Sequence, residues 1–199
     1  MTRGRTRLPL KRLIRRAPRI GLLVALAAGL ALTFTTAAQA ATATAALSAG
    51  SLAFKSTPPD VSFSATLSGA DQTTTASQAL DVGDATGSGA GWNITATSTT
   101  FTKGSDTLAN DSTTVQSAPS VACDAGATCT LATPSGGVSY PYTLPAATVA
   151  PTATKMFSAS PNSGRGNQTV TPSWRLAVPA SALAGSYTST WTLSLSSGP

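Results

Sequence analysis

Residues 187–195 read YTSTWTLSL. Tyr187, Trp191, Leu193 and Leu195 share one set of alternate positions, and Thr188, Thr190, Thr192 and Ser194 occupy the other. Successive side chains of a strand point to opposite faces, so this period of two predicts a half-buried strand rather than a helix. The same pattern recurs upstream. Residues 168–178 (QTVTPSWRLAV) align Trp174, Leu176 and Val178, with Pro172 marking an edge or a bulge, because proline cannot donate to a ladder. Residues 92–98 (WNITATS) align Trp92, Ile94 and Ala96, and residues 61–67 (VSFSATL) align Val61, Phe63, Ala65 and Leu67.

Between these runs lie turn formers: Pro58-Pro59-Asp60, Gly69-Ala70-Asp71, the glycine-rich loop 83–91 and the 161–166 turn (PNSGRG). Residues 52–55, the hydroxyl-rich 72–82 and 155–159 complete the expected strands. Residues 102–121 read as a hairpin or long loop, and the proline-rich 134–151 resists assignment. About a third of the chain after residue 40 is Ser plus Thr, and Glu is absent. Short strands between closely spaced turns predict an all-β fold, a single antiparallel β-sandwich over residues 51–199. Residues 41–50 (ATATAALSAG) read as a frayed tail.

The formal charge of +6 belongs to the beginning of the chain. Arg3, Arg5, Arg7, Lys11, Arg12, Arg15, Arg16 and Arg19 precede an uncharged apolar run at 20–32 (IGLLVALAAGLAL), which leads to Ala38-Gln39-Ala40. A basic stretch, an apolar core shorter than the roughly 20 residues of a membrane-crossing helix, and a small-x-small end describe a helical secretory signal peptide over residues 1–40. Cleavage is expected after Ala40, with membrane contact limited to the signal before it is removed. The alternative is an uncleaved anchor, since no charge falls between Arg19 and Lys55. Beyond the signal, five basic residues face seven aspartates. A mildly acidic domain lacks the electrostatic basis for nucleic-acid binding.

Composition also limits the chemistry. The chain contains no histidine, so Ser-His-Asp, Cys-His and His-ligated metal sites cannot be built. None of Lys55, Lys103 and Lys155 follows a serine by three positions, which removes the Ser-x-x-Lys dyad. Asp81 and Asp84 are the closest carboxylate pair, in a sequence (DVGD) that reads as a solvated turn. The expectation is a protein without catalytic residues, metal or cofactor. Cys123 and Cys129 enclose five residues, and an even count in an exported chain predicts a disulfide that pins a surface loop. Asn93, Asn110 and Asn167 begin N-x-S/T triplets, read as chance occurrences in so hydroxyl-rich a chain.

All three tryptophans begin Trp-x-aliphatic triplets: Trp92-Asn93-Ile94, Trp174-Arg175-Leu176 and Trp191-Thr192-Leu193. Each puts an indole beside a branched apolar group on one strand face, either as sandwich core or as an exposed strip that stacks on sugar rings. Together with Gly91-Trp92-Asn93-Ile94-Thr95, the closing Gly185-Ser186-Tyr187 and Trp191-Thr192-Leu193, with Pro199 at the end, resemble the WxL-domain surface proteins of Gram-positive bacteria. The resemblance extends over most of the chain after the signal. It implies a secreted protein held non-covalently on the cell surface by peptidoglycan or another cell-wall glycan, and able to assemble with other surface proteins. The wall-binding motif carries over to Trp191 and Leu193 with Tyr187. Either Trp174 and Leu176 or Trp92 and Ile94 form its second copy, and Ile94 departs from the strict spelling. Residues 144–148 (LPAAT) lack the spacing and following segment of a sortase signal, so covalent wall linkage is not expected. The competing expectation is a pilin-like or spore-coat-like structural subunit that assembles by strand pairing.

Overall fold

Alternating sequence becomes strand wherever turn formers close it off. The computed structural model, described over residues 41–199, contains fourteen strands and no helix among them. In chain order they are β1 (Leu52–Phe54), β2 (Gln72–Ser77), β3 (Leu80–Asp84), β4 (Trp92–Thr99), β5 (Thr102–Lys103), β6 (Asp106–Thr107) and β7 (Thr113–Val115). They continue as β8 (Ser120–Cys123), β9 (Tyr142–Thr143), β10 (Ala146–Ala147), β11 (Thr154–Ala159), β12 (Gly166–Thr171), β13 (Ser173–Val178) and β14 (Trp191–Ser197). Residues Ala45–Pro199 form one compact unit. The expected signal peptide over residues 1–40, with its expected cleavage at Ala38 and Ala40, lies outside the described residues.

A long antiparallel ribbon organises one layer. β3 pairs β12 from Asp84↔Gly166 to Leu80↔Val170, and β2 pairs β13 from Ser77↔Ser173 to Gln72↔Val178, in one unbroken register. The two halves meet at Pro172. It has no N–H to give, but its carbonyl accepts the Gln78 N–H at 3.2 Å. β1 and β8 flank the β3–β12 half, and β7 with β9 extends the β13 side. The facing layer is centred on β4, with β14 on one side and β11 on the other. Only the short β10 runs parallel, beside the end of β4.

The layers close over Leu80, Val82, Val170, Trp174 and Val115 from one side and Trp92, Ile94, Ala96 and Phe157 from the other. β4 is buried on both faces along most of its length, as a central strand must be.

Several sequence expectations change in the folded chain. Residues 61–67 are extended but join no ladder, although Val61 and Phe63 turn inward as their alternation requires. The last strand starts at Trp191, and residues 187–190 hold to the sandwich through the Thr102↔Thr188 bridge. The Asp81–Asp84 stretch is strand β3 rather than a turn, because β1 and β12 pair with it on both sides. Residues 102–121 resolve into the β5–β6 hairpin, β7 and the start of β8, with Gly104 at φ 60° in the hairpin turn.

Candidate functional site

The three Trp-x-aliphatic triplets occupy β4, β13 and β14, and all three turn toward the core. Trp92, Ile94 and Trp174 are fully buried, and Leu176 is 6% exposed. A buried indole must still satisfy its N–H. That of Trp92 donates to the Gly164 carbonyl at 2.8 Å, and that of Trp174 to Gln78 Oε1 at 3.0 Å. Burial therefore corrects the reading of Trp92, Ile94, Trp174 and Leu176 as members of an exposed binding strip. Trp92, Ile94 and Trp174 sit between the two layers, where contact with a polymer is sterically excluded, and Leu176 lies in a separate cluster with Leu108 and Val178.

Trp191 differs. It begins β14 at the margin of the sandwich and is half-buried, as is Leu193. Its ring meets Trp174 edge-on across the two layers, with centroids 4.8 Å apart, and lies 6.4 Å from both Phe63 and Phe101. Phe63 and Phe101 are in turn edge-to-face at 6.3 Å. Such offset and T-shaped pairs are favourable ring arrangements and hold the indole against rotation. The flanking Thr188, Thr190 and Thr192 are exposed.

A groove of about 730 Å³ opens beside Trp191, between the 57–62 segment and residues 188–193. Pro58, Gln78, Phe101 and Tyr187 line it together with that threonine-rich edge. Among the described residues, Asp60 is the one charged side chain on its walls. The groove thus offers a partly exposed indole, hydroxyls and an amide in a nearly neutral setting. Tyr187 is half-buried and stands under Lys103, whose Nζ is 5.5 Å from the ring centroid, while its hydroxyl donates to the Leu183 carbonyl.

Elsewhere Lys55, Asp81, Asp84 and Asp124 are engaged. Lys55 Nζ lies 2.7 Å from Asp124 and 3.4 Å from Asp81. The hydrogen bond from Lys55 holds the Asp124 carboxyl below its ordinary range, assisted by Thr169, and the same bond raises Lys55. Asp84 accepts from the backbone N–H and hydroxyl of Thr86. Among the described residues no cluster of three or more His, Cys, Asp or Glu side chains could hold a metal ion. Cys123 and Cys129 form the expected disulfide, with Cα atoms 5.7 Å apart, and the ring presents Asp124 to Lys55. Of the three N-x-S/T asparagines, Asn93 is buried, whereas Asn110 and Asn167 are exposed.

The aromatic neighbours of Trp191 carry a weak sequence signal. Phe101 falls outside any alternating run, and Pro58 reads only as a turn residue. Phe63 is visible as an inward position, but nothing local to residues 61–67 pairs it with residue 191. No family model, curated protein or solved structure matches the chain. Among the described residues no helix is long and apolar enough to cross a membrane.

Proposed function

We propose that the chain is a secreted, non-catalytic surface protein that attaches non-covalently to a cell-wall glycan, peptidoglycan in the first instance, through the groove beside Trp191. The observation that supports this reading most is the half-exposed indole in an open, almost uncharged groove edged by hydroxyl side chains. An indole covers the C–H face of a pyranose by dispersion and apolar contact, and neighbouring hydroxyls and bridging water satisfy the sugar's polar rim. Neither needs charge. The Trp-Thr-Leu ending that resembles WxL domains adds to the reading, with Trp191, Leu193 and Tyr187 as its half-buried representatives. The buried Trp174 of β13 meets the indole edge-on.

Co-sedimentation with purified, protein-free wall sacculi tests the proposal. The wild-type chain is expected in the pellet, and Thr192→Lys, which crowds the groove from an exposed position without touching the core, is expected to shift it to the supernatant. A wild type that stays in the supernatant overturns the reading. So does a Thr192→Lys variant that pellets equally well.

A further inference from the structure

A second groove, of about 620 Å³, lies at the far end of the β2–β13 ribbon. Leu108, Leu176 and Val178 form its base, and Phe63, Leu67, Leu183 and Tyr187 stand along its sides. One wall is the 61–67 segment. This stretch is extended and has a strand's alternation, yet among the described residues none of its backbone groups bonds to another backbone group. Only the Ser64 and Thr66 carbonyls are used, by the side chains of Thr74 and Gln72. An extended segment with unpaired ladder groups beside an apolar groove is the receiving half of a strand addition.

The chain carries a segment suited to the giving half. Residues 41–49 place Ala41, Ala43, Ala45, Leu47 and Ala49 on one face, and Thr42, Thr44 and Ser48 on the other. All are exposed, Leu47 at 95%, although it is the one large apolar side chain of the stretch. The segment is fixed at Gly50, whose N–H donates to the Ala85 carbonyl at 2.8 Å. Ala85 follows the end of the ribbon opposite the groove. At about 3.3 Å per residue, the path from Ala85 to Thr74 covers about 36 Å, whereas Leu47 reaches only about 10 Å from Gly50. Leu47 cannot enter its own groove.

We infer that residues 41–49 of one copy insert as a strand beside residues 61–67 of a second copy, with Leu47 in the groove over Leu176 and Val178. The anchor of the donor at Gly50 and the acceptor lie at opposite ends of the ribbon, so the contact is heterologous and propagates head to tail into an open chain rather than a closed dimer. This inference does not rest on the glycan reading, and its groove adjoins the one beside Trp191, with Val61, Ser62, Phe101 and Tyr187 common to both.

The test is made with the protein expressed with its own leader and recovered from the expressing cells. Leu47→Cys and Leu183→Cys chains of different tag length, mixed and oxidised, are expected to give a heterodimer band well above the statistical share. Light scattering of the wild type is expected to show masses rising in whole multiples of the monomer with concentration. Leu47→Asp, at a position outside the core, is expected to stay monomeric with an unchanged circular dichroism spectrum and unchanged pelleting on sacculi. A wild type that remains monomeric up to about 1 mM overturns the inference, as do cross-links that are only statistical or an assembling Leu47→Asp variant.

Discussion

At the scale of single residues, the core depends on side chains that never touch solvent. Trp92 closes one end of the core, and its N–H is held by Gly164, which has φ 74° and lies against the indole. A methyl group there would meet the indole nitrogen and would also sit on a backbone conformation that side chains resist. Gly164→Ala is therefore expected to cost on the order of 3 kcal/mol and to lower Tm by roughly 6–12 °C in a thermal melt. An unchanged Tm would show that the indole has room to shift. Tyr140 makes a second prediction. Burial, reinforced by neighbouring Tyr142, pushes its hydroxyl up to about 12, and that hydroxyl donates to the Met156 carbonyl at 2.7 Å. The unfolded chain releases this proton more readily, so stability is full below pH about 10 and is lost as pH rises toward about 12. Urea midpoints measured across that interval should fall for the wild type, and fall less for Tyr140→Phe.

At the scale of elements, the disulfide closes the loop after β8, and Lys55, just past β1, bridges Asp81 of β3 and Asp124 at the end of β8. Replacing both Cys123 and Cys129 by Ser is expected to cost on the order of 2 kcal/mol, because so short a ring removes little unfolded-state entropy. Urea unfolding checks this, and a loss well beyond that size would assign the ring more than loop pinning. Asp124 titrates below its ordinary value when folded, so its contribution is present above the unfolded value of 3.8 and disappears as pH falls through the lower folded value. Lys55→Gln should accordingly flatten the acid limb of the stability profile between pH about 5 and 3. An unaltered limb would mean that the pair adds nothing in solution, as many exposed pairs do.

The strands were legible in the sequence where alternation ran long, as at Trp92–Thr99 and on either side of Pro172. Alternation reports which side chains share a face, but not whether a neighbouring strand is present. That is why residues 61–67 read as a strand and fold as an unpaired extension, and why DVGD read as a turn while two partners made it β3. The same blindness governed the tryptophans. Trp92, Trp174 and Trp191 have equivalent local sequences, and only the packing of two layers buries the first two and leaves the third at an edge. Phe101 joined the site through a contact between distant segments that no local pattern encodes.

At the scale of the whole molecule, charge and shape point the same way. Past residue 40 the chain is poor in charge, and among the described residues lining the groove beside Trp191 Asp60 is the one charged side chain. Binding that rests on stacking and hydroxyl contacts should change less than about twofold between 50 and 200 mM salt, unlike the losses of about a thousandfold or more that accompany release of counterions from a polyanion. The measurement that reaches the central claim most directly is the fraction of protein pelleted with protein-free sacculi across that salt range, for the wild type and for Thr192→Lys. Wild-type pelleting nearly independent of salt, and a loss of pelleting in the variant, are expected. Wild type left in solution, equal pelleting of the two, or binding abolished by salt would contradict that claim.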